Sequence, residues 1–402
     1  MTAGTRLMPF PARLRTELQI DPILLTIVLT LLLGGFVILA SASISISDNV
    51  AGNPFFYVQR QLLAAAIGAI AGGVCLFIPM RVWQNLGPLM LFAGMALLIV
   101  VLVPGIGYEV NGSTRWVRIG IMNLQVSEPA RLYFLMYLAG YLVRRNKALR
   151  EEFMGFLRPM LVLTVACILL LGEPDFGAAI VLLATALTML FVAGARIRDF
   201  LVFFSTAVLA MAALAITSPY RMKRLTGFLD PWSDPFDSGF QLTQSLIALG
   251  RGEWFGVGLG DSVQKLFYLP EAHTDFVFAV FAEEFGLLGS LILIALFLAL
   301  LWRIFKLGIR AADSERFFEA YMAIGLGTWL GLQAFINLGV NMGILPTKGL
   351  TLPLISYGRS SLIVTMMALG LLLRIHHELV VDASQPNRRR QRKPSATGSR
   401  RK

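Results

Sequence analysis

The chain reads as an all-α polytopic membrane protein of about ten transmembrane helices, with one large extracytoplasmic loop between spans 7 and 8. Three observations predict this. The 402 residues are 56% hydrophobic but only 15% charged, where a soluble chain holds about a quarter charged residues. The apolar residues come in blocks. Residues 23–42, for instance, carry no charge and as a helix extend about 30 Å, the thickness of a bilayer's hydrocarbon core. Finally, the 35 Lys and Arg residues are distributed unevenly over the intervening segments.

In chain order, the spans fall at roughly 22–43, 57–79, 84–104, 128–145, 156–173, 176–194, 198–218, 275–305, 318–343 and 350–374. The first follows Arg13 and Arg15 and ends on Ala40-Ser41-Ala42, which resembles a signal-peptide cleavage site. The run is too long for a signal peptide's apolar region and more spans follow, so it is expected to stay as the first helix. With the N-terminus in the cytoplasm, most basic residues lie on the inner side, among them Arg144, Arg145, Lys147, Arg303, Lys306 and Arg310. The positive-inside rule then places both termini in the cytoplasm.

Three segments follow: 1–21, a cytoplasmic lead; 22–376, the membrane domain; and 377–402, a basic, Pro- and Ser-rich tail expected to be disordered. The tail suits the anionic inner leaflet. Nucleic acid is not expected, because no aromatic residues interleave its charges. Cys75 and Cys167 lie in apolar runs and read as small core residues.

On the outer side only loop 219–274 is large, so function is sought there first. Phe240, Leu242, Leu246, Ile247 and Leu249 stand at helical spacing, with Asp237 or Ser238 to cap the start and Gly250 to stop it. This predicts an amphipathic helix at the interface. Gly256-Val257-Gly258-Leu259-Gly260 lacks the spacing and the preceding strand of a nucleotide-binding turn, so its glycines are expected to serve tight turns and close backbone approach.

Several charges sit near span ends. Asp275 follows Thr274, a candidate N-cap, in the first predicted turn of the eighth span. It either complements the helix dipole or, held ionised, accepts a proton from a substrate hydroxyl. His273 and Glu271 stand beside it. Glu128 and Arg131, at i and i+3, share a face of the fourth span, as a mutually neutralising pair or as functional intramembrane charges. Arg115 and Arg118 flank Trp116 in the outer loop 105–127 and are candidates to hold a lipid phosphate or to anchor in headgroups. Lys348 is a lone cation in the last outer turn. Asp175 is explained by turn chemistry. No zinc pattern, serine–histidine arrangement or Walker loop is visible.

Three runs carry a resemblance: Gly172-Glu173-Pro174-Asp175-Phe176-Gly177, Tyr268-Leu269-Pro270-Glu271-Ala272-His273-Thr274-Asp275-Phe276, and the stretch from Asn341-Met342-Gly343-Ile344-Leu345-Pro346-Thr347-Lys348-Gly349 through Ser356-Tyr357-Gly358. Together they resemble the SEDS family (shape, elongation, division and sporulation), over essentially the whole membrane region. The Pro346-Thr347-Lys348-Gly349-Leu350-Thr351 run is similar to the family's division-type branch rather than its elongation type. The resemblance implies a ten-helix peptidoglycan glycosyltransferase polymerising lipid II in the bacterial inner membrane at the septum. Its essential aspartate falls on Asp275, its charged pair on Glu128 and Arg131, and its motif lysine on Lys348. Where the family has Gly-Gly-Ser, this chain has Gly358-Arg359-Ser360.

The implied reaction converts an α-linked lipid-diphosphate donor into a β(1→4) bond, so the anomeric centre inverts. That needs a base on the acceptor hydroxyl and cations on the departing diphosphate. The expected assignments are Asp275 as base, with Arg115, Arg118, Glu128, Arg131, Lys348 and His273 as substrate-binding candidates. No cofactor is required by the residues themselves, although a divalent Mg or Mn ion on the diphosphate fits the same logic. The implied partners are a single-span class B penicillin-binding transpeptidase and other division-machinery membrane proteins. Two alternatives are a transporter that flips the same lipid, which needs deep charges and broken helices, and a non-catalytic scaffold.

Overall fold

The computed structural model describes residues 18–110, 113–120, 122–216, 222, 226–237 and 239–384. Each of the ten predicted spans falls on a helix. These are α1 (Pro22–Ala51), α2 (Phe56–Phe77), α3 (Met80–Val101) and α4 (Ser127–Arg144). After the short α5 (Asn146–Glu151) come α6 (Phe153–Gly172), α7 (Phe176–Val192) and α8 (Ile197–Ile216). The amphipathic α9 (Phe240–Gly252) precedes α10 (Val277–Asp313), α11 (Phe317–Asn341) and α12 (Arg359–Ala383). Among the described residues, seven of these helices are long and apolar enough to cross a membrane, and α7 is a shorter apolar helix.

Consecutive long helices alternate in direction. One end of the bundle gathers the three short strands between Gly107 and Gln125, residues 253–276 and 342–358 together with the short turn at 173–175, and the other gathers the turns at 78–79, 193–196 and 314–316. At the short-connection end, Asp21 caps α1 through the N–H groups of Ile23 and Leu24 and pairs with Arg303 at 2.7 Å. Glu378 accepts from the Met80 N–H at 2.9 Å and pairs with Arg374 and Arg316. These two acids tie α1, α3, α10, α11 and α12 together. Between α2 and α12 the backbones nearly touch: a Cβ on Gly370 would lie 2.1 Å from the Gly72 carbonyl. Helix contact through small residues suits a lipid solvent, where no hydrophobic force separates side chains from their surroundings. Cys75 and Cys167 are free thiols.

Four features differ from the sequence expectations. First, one small sheet accompanies the helices. The loop after α3 forms an antiparallel sheet, β1 (Gly107–Val110), β2 (Ser113–Ile119) and β3 (Met122–Gln125), in the order β1-β2-β3. Asn111-Gly112 is a strong two-residue hairpin signal between runs rich in strand-forming residues. Second, α10 starts at Val277, so Thr274 is not its cap and Asp275 lies in the turn before the helix. Third, α9 has Gly239 at its cap position and runs through Gly250 to Gly252, while Ser238 lies outside the described residues. Fourth, α12 continues to Ala383, past the predicted end at 374. The lead before residue 18 and the tail after 384 also lie outside the described residues.

α10 is also broken. Gly286 has φ 65° and ψ −163°, a conformation open essentially to glycine alone. The backbone groups freed by the break are taken up by the loop after α9. Val257 N–H donates to Glu283 O at 3.0 Å and Gly258 N–H to Glu284 O at 3.1 Å. Leu287 and Leu288 N–H donate back to Glu253 and Trp254 O at 2.9 and 3.1 Å. The loop glycine there is needed for approach, since a Cβ on Gly256 would lie 2.1 Å from Glu284 O. Two buried acids complete the latch. Glu283 pairs with Arg251 at 2.8 Å and accepts from Ser262 and the N–H groups of Val263 and Gln264. Glu284 pairs with Lys265 at 2.9 Å and accepts from Ser41 of α1.

Candidate active site

At the long-connection end, three turns meet. The first holds Asp275. Within it, Thr274 and Phe276 N–H donate to Glu271 O at 3.1 and 3.2 Å, and Thr274 Oγ1 donates to the Glu271 carboxylate at 2.6 Å. The Asp275 side chain is half-buried and leans on the second turn: a Cβ on Gly349 would lie 3.0 Å from Asp275 Oδ2. A side chain at 349 would therefore crowd the carboxylate, which accounts for the Lys348-Gly349 pairing. Lys348 lies with its Nζ 3.9 Å from the ring centre of Phe176, the first residue of α7, beside the third turn, residues 173–175 between α6 and α7.

That third turn is held by Asp175, which does more than turn chemistry requires. Its Oδ1 caps α7 by accepting from Ala178 N–H at 3.1 Å. Its Oδ2 accepts from Ser127 Oγ at 2.9 Å and Gln125 Nε2 at 3.2 Å. Arg115 of β2 stands 3.9 Å from the same carboxylate. The sheet is docked on the start of α12, where Gln125 N–H donates to Ser360 Oγ at 3.0 Å and Ser360 Oγ donates to Asn123 O at 3.3 Å. Beside Asp175, Glu173 has 0% exposure and neither carboxyl oxygen has a hydrogen-bond partner. Burial pushes its pKa up to about 8, with the Asp175 charge adding and Arg115 opposing, so it is largely a neutral acid at pH 7.

Arg131 and Glu128 are 2% and 4% exposed and 3.8 Å apart. The guanidinium also donates to Gln333 Oε1 at 3.1 Å and lies 5.2 Å from the Trp329 ring centre. Gln333 Nε2 in turn donates to Thr351 O at 3.0 Å. The pair is thus wired to the loop that carries Lys348.

The structure brings together Asp275, Lys348 and Arg115 around the three turns, with Glu128 and Arg131 behind them. It does not bring in Arg118, which is exposed and lies 5.0 Å from the Tyr108 ring centre on the sheet surface. His273 is buried with ring centres 4.5 Å from Tyr57 and 5.7 Å from Tyr357. Burial holds its imidazole below the usual range against the opposing pull of Glu271, so it packs as a neutral ring and brings no positive charge to a phosphate. Arg359 is half-buried at the first position of α12, behind Tyr357.

Sequence reasoning missed the amides of α11: Gln333, Asn337 and Asn341, at i, i+4 and i+8. Three amides on one face of an apolar helix are a readable signal. Among the described residues no cluster of three acidic, His or Cys side chains stands ready to hold a metal ion. An apolar cleft, lined by Phe134, Tyr137, Pro159, Leu163 and Leu182, opens between α4, α6 and α7, further along helices that reach the site.

These features define a class: a multi-pass membrane protein with an acid and cations converging in re-entrant turns at one end of the bundle. Residues 22–380 match the FtsW, RodA and SpoVE family, described as cell cycle protein, and the chain belongs to that family. A probable peptidoglycan glycosyltransferase FtsW of Thioalkalivibrio sulfidiphilus is 56% identical over 368 residues, 92% of each chain. The same-named protein of Coxiella burnetii is 51% identical over 350 residues, 87% of this chain and 94% of that one. Among solved structures, a peptidoglycan synthase complex coordinating polymerization and crosslinking is 32% identical with TM-score 0.75, covering 90% of this chain and 99% of that one. The rod shape determining protein RodA of Thermus thermophilus is 31% identical with TM-score 0.67, covering 90% and 98%.

Proposed function

We propose that this chain is a peptidoglycan glycosyltransferase that polymerises lipid II during cell division, with Asp275 as general base. The single observation that carries the reading is the meeting of the Asp275 turn with the 348–349 turn. It sets a half-buried carboxylate next to the backbone that bears a cation. In the proposed reaction, the Asp275 carboxylate takes the proton from the acceptor sugar's 4-hydroxyl. That oxygen forms the new bond to the anomeric carbon as the bond to the lipid diphosphate breaks on the opposite face. Lys348 and Arg115 stabilise charge gathering on the diphosphate. The uncharged cleft between α4, α6 and α7 suits the polyprenyl chain.

The described residues offer no ligand set for Mg or Mn, so such an ion would come with the diphosphate, where it would supply neutralising charge. The implied setting is the inner membrane at the septum, with both termini cytoplasmic and the three turns on the outer side. The partners are a single-span class B penicillin-binding transpeptidase and other division-machinery proteins, and the basic tail lies on the anionic leaflet.

The broken α10 favours a second reading, a flippase for the same lipid, because transporters place broken helices and charges within the bilayer. Here, however, Glu283 and Glu284 are each paired with a cation of the loop, so the break holds the loop in place. The test is polymer formation from labelled lipid II by the purified protein with its transpeptidase partner. Native protein should make glycan and Asp275→Asn should make none. Equal polymer from both refutes the base assignment, and lipid movement across vesicles without polymer supports the flippase.

A further inference from the structure

Of the three buried amides on α11, Asn337 and Asn341 converge on one atom. Asn337 Nδ2 donates to the backbone carbonyl of Asp275 at 2.8 Å, and Asn341 Nδ2 donates to the same oxygen at 3.0 Å. A carbonyl oxygen has two lone pairs, so this one is fully used. The amide orientations are set by their other contacts. Asn341 Oδ1 accepts from the Ala279 N–H at 3.1 Å, in the first turn of α10, which directs Nδ2 to Asp275. Asn337 Nδ2 also donates to Leu350 O at 2.6 Å, so it grips the base's turn and the cation's turn at once. Its Oδ1 is buried without a hydrogen-bond partner. An orphaned acceptor costs stability, so packing alone does not explain an amide at this position.

We infer that Asn337 and Asn341 are positioning residues that hold the Asp275 turn in register with the 348–350 turn. The inference rests on the reading of Asp275 as base. Asp275 belongs to no helix. Its turn is also joined to the rest of the site by the Tyr357 N–H, which donates to His273 O at 2.9 Å. The two amides fix the peptide that carries the reacting carboxylate, and Asn337 makes that peptide share a frame with Lys348. A displacement of about 1 Å at such a site is enough to lose about 100-fold in rate.

The test uses the full chain with its transpeptidase partner in detergent, with kcat and KM measured on lipid II and the thermal midpoint followed separately. Asn337→Asp and Asn341→Asp keep shape but replace the donor by an oxygen, and Asn341→Asp keeps the acceptor for Ala279. Asn337→Ala and Asn341→Ala give the same readout without a buried charge. The expected result is a fall in kcat of about tenfold or more with KM within about twofold, measured below each variant's lowered midpoint where the protein is folded. Native kcat in both alanine variants overturns the inference. So does a loss of kcat that follows loss of the folded state in all four variants. Asp275→Asn separates the two claims. If it is inactive while the asparagine variants run at native kcat, only the positioning role falls. If it polymerises normally, the base reading falls and the positioning role with it.

Discussion

Replacing Arg131 by Met tests whether the charged pair on α4 holds the fold or binds substrate. At 3.8 Å, and with an effective dielectric constant of about 20, Arg131 and Glu128 attract by about 4 kcal/mol. Arg131→Met removes that attraction and leaves Glu128, 4% exposed, as an uncompensated buried charge. Breaking such a pair from one side costs about 3–5 kcal/mol. Adding Glu128→Gln removes the stranded charge, and the double variant should recover to within about 1 kcal/mol of native, the worth of the lost hydrogen bond to Gln333. The assay is reversible denaturant unfolding in detergent of native protein, both single variants and the double variant, with lipid II polymerisation measured alongside. If Arg131→Met and the double variant unfold together, the two charges are not coupled and the reasoning fails. If Arg131→Met unfolds like native but makes no polymer, the arginine serves the substrate and not the bundle.

Other outcomes follow from the same geometry. The Glu173 carboxyl titrates at about 8 when folded, above its ordinary 4.5, so its neutral form is the one the fold favours. Its contribution to stability is fully present below about 4.5 and is lost as pH rises through about 8. The thermal midpoint should therefore fall between pH 7 and 9, and fall less in Glu173→Gln. Gly286→Ala places a side chain in a glycine-only conformation, 2.4 Å from Gly256 N, at a cost of about 1–3 kcal/mol or more, and should speed proteolysis within 253–268. Lys348→Met should lower kcat by about tenfold or more without changing the melting midpoint, whereas an unchanged rate would remove Lys348 from leaving-group stabilisation.

The parts that were legible in sequence are those set by the bilayer. Runs such as 22–43 and 318–343 must satisfy their backbone internally, and a helix is the one local way to do so; the first helix in fact continues to Ala51. Asp275 and Lys348 stood out because a charge beside an apolar run is rare. Their meeting was not legible, since the two turns are far apart in the chain and Asn337 of α11 bonds to both. The sheet after α3 is announced only by Asn111-Gly112, because its strands are too short to stand out beside the long apolar runs on either side. The break at Gly286 lies in an unbroken apolar pattern, and what permits it is a loop some thirty residues earlier in the chain (Val257 against Glu283). Glu128 and Arg131 were visible as a pair, but Gln333, which links them to the 351 loop, was visible only as one of three amides at helical spacing.

Because α10 is interrupted, it behaves as two arms on one pivot. The lower arm, residues 287–313, follows the break, and the helix as a whole packs on α1 and α11. The upper arm carries the Asp275 turn at its tip and is stitched to residues 253–258. The peptide bearing the carboxylate is thus continuous, through bonded backbone, with a loop outside the helix that carries it.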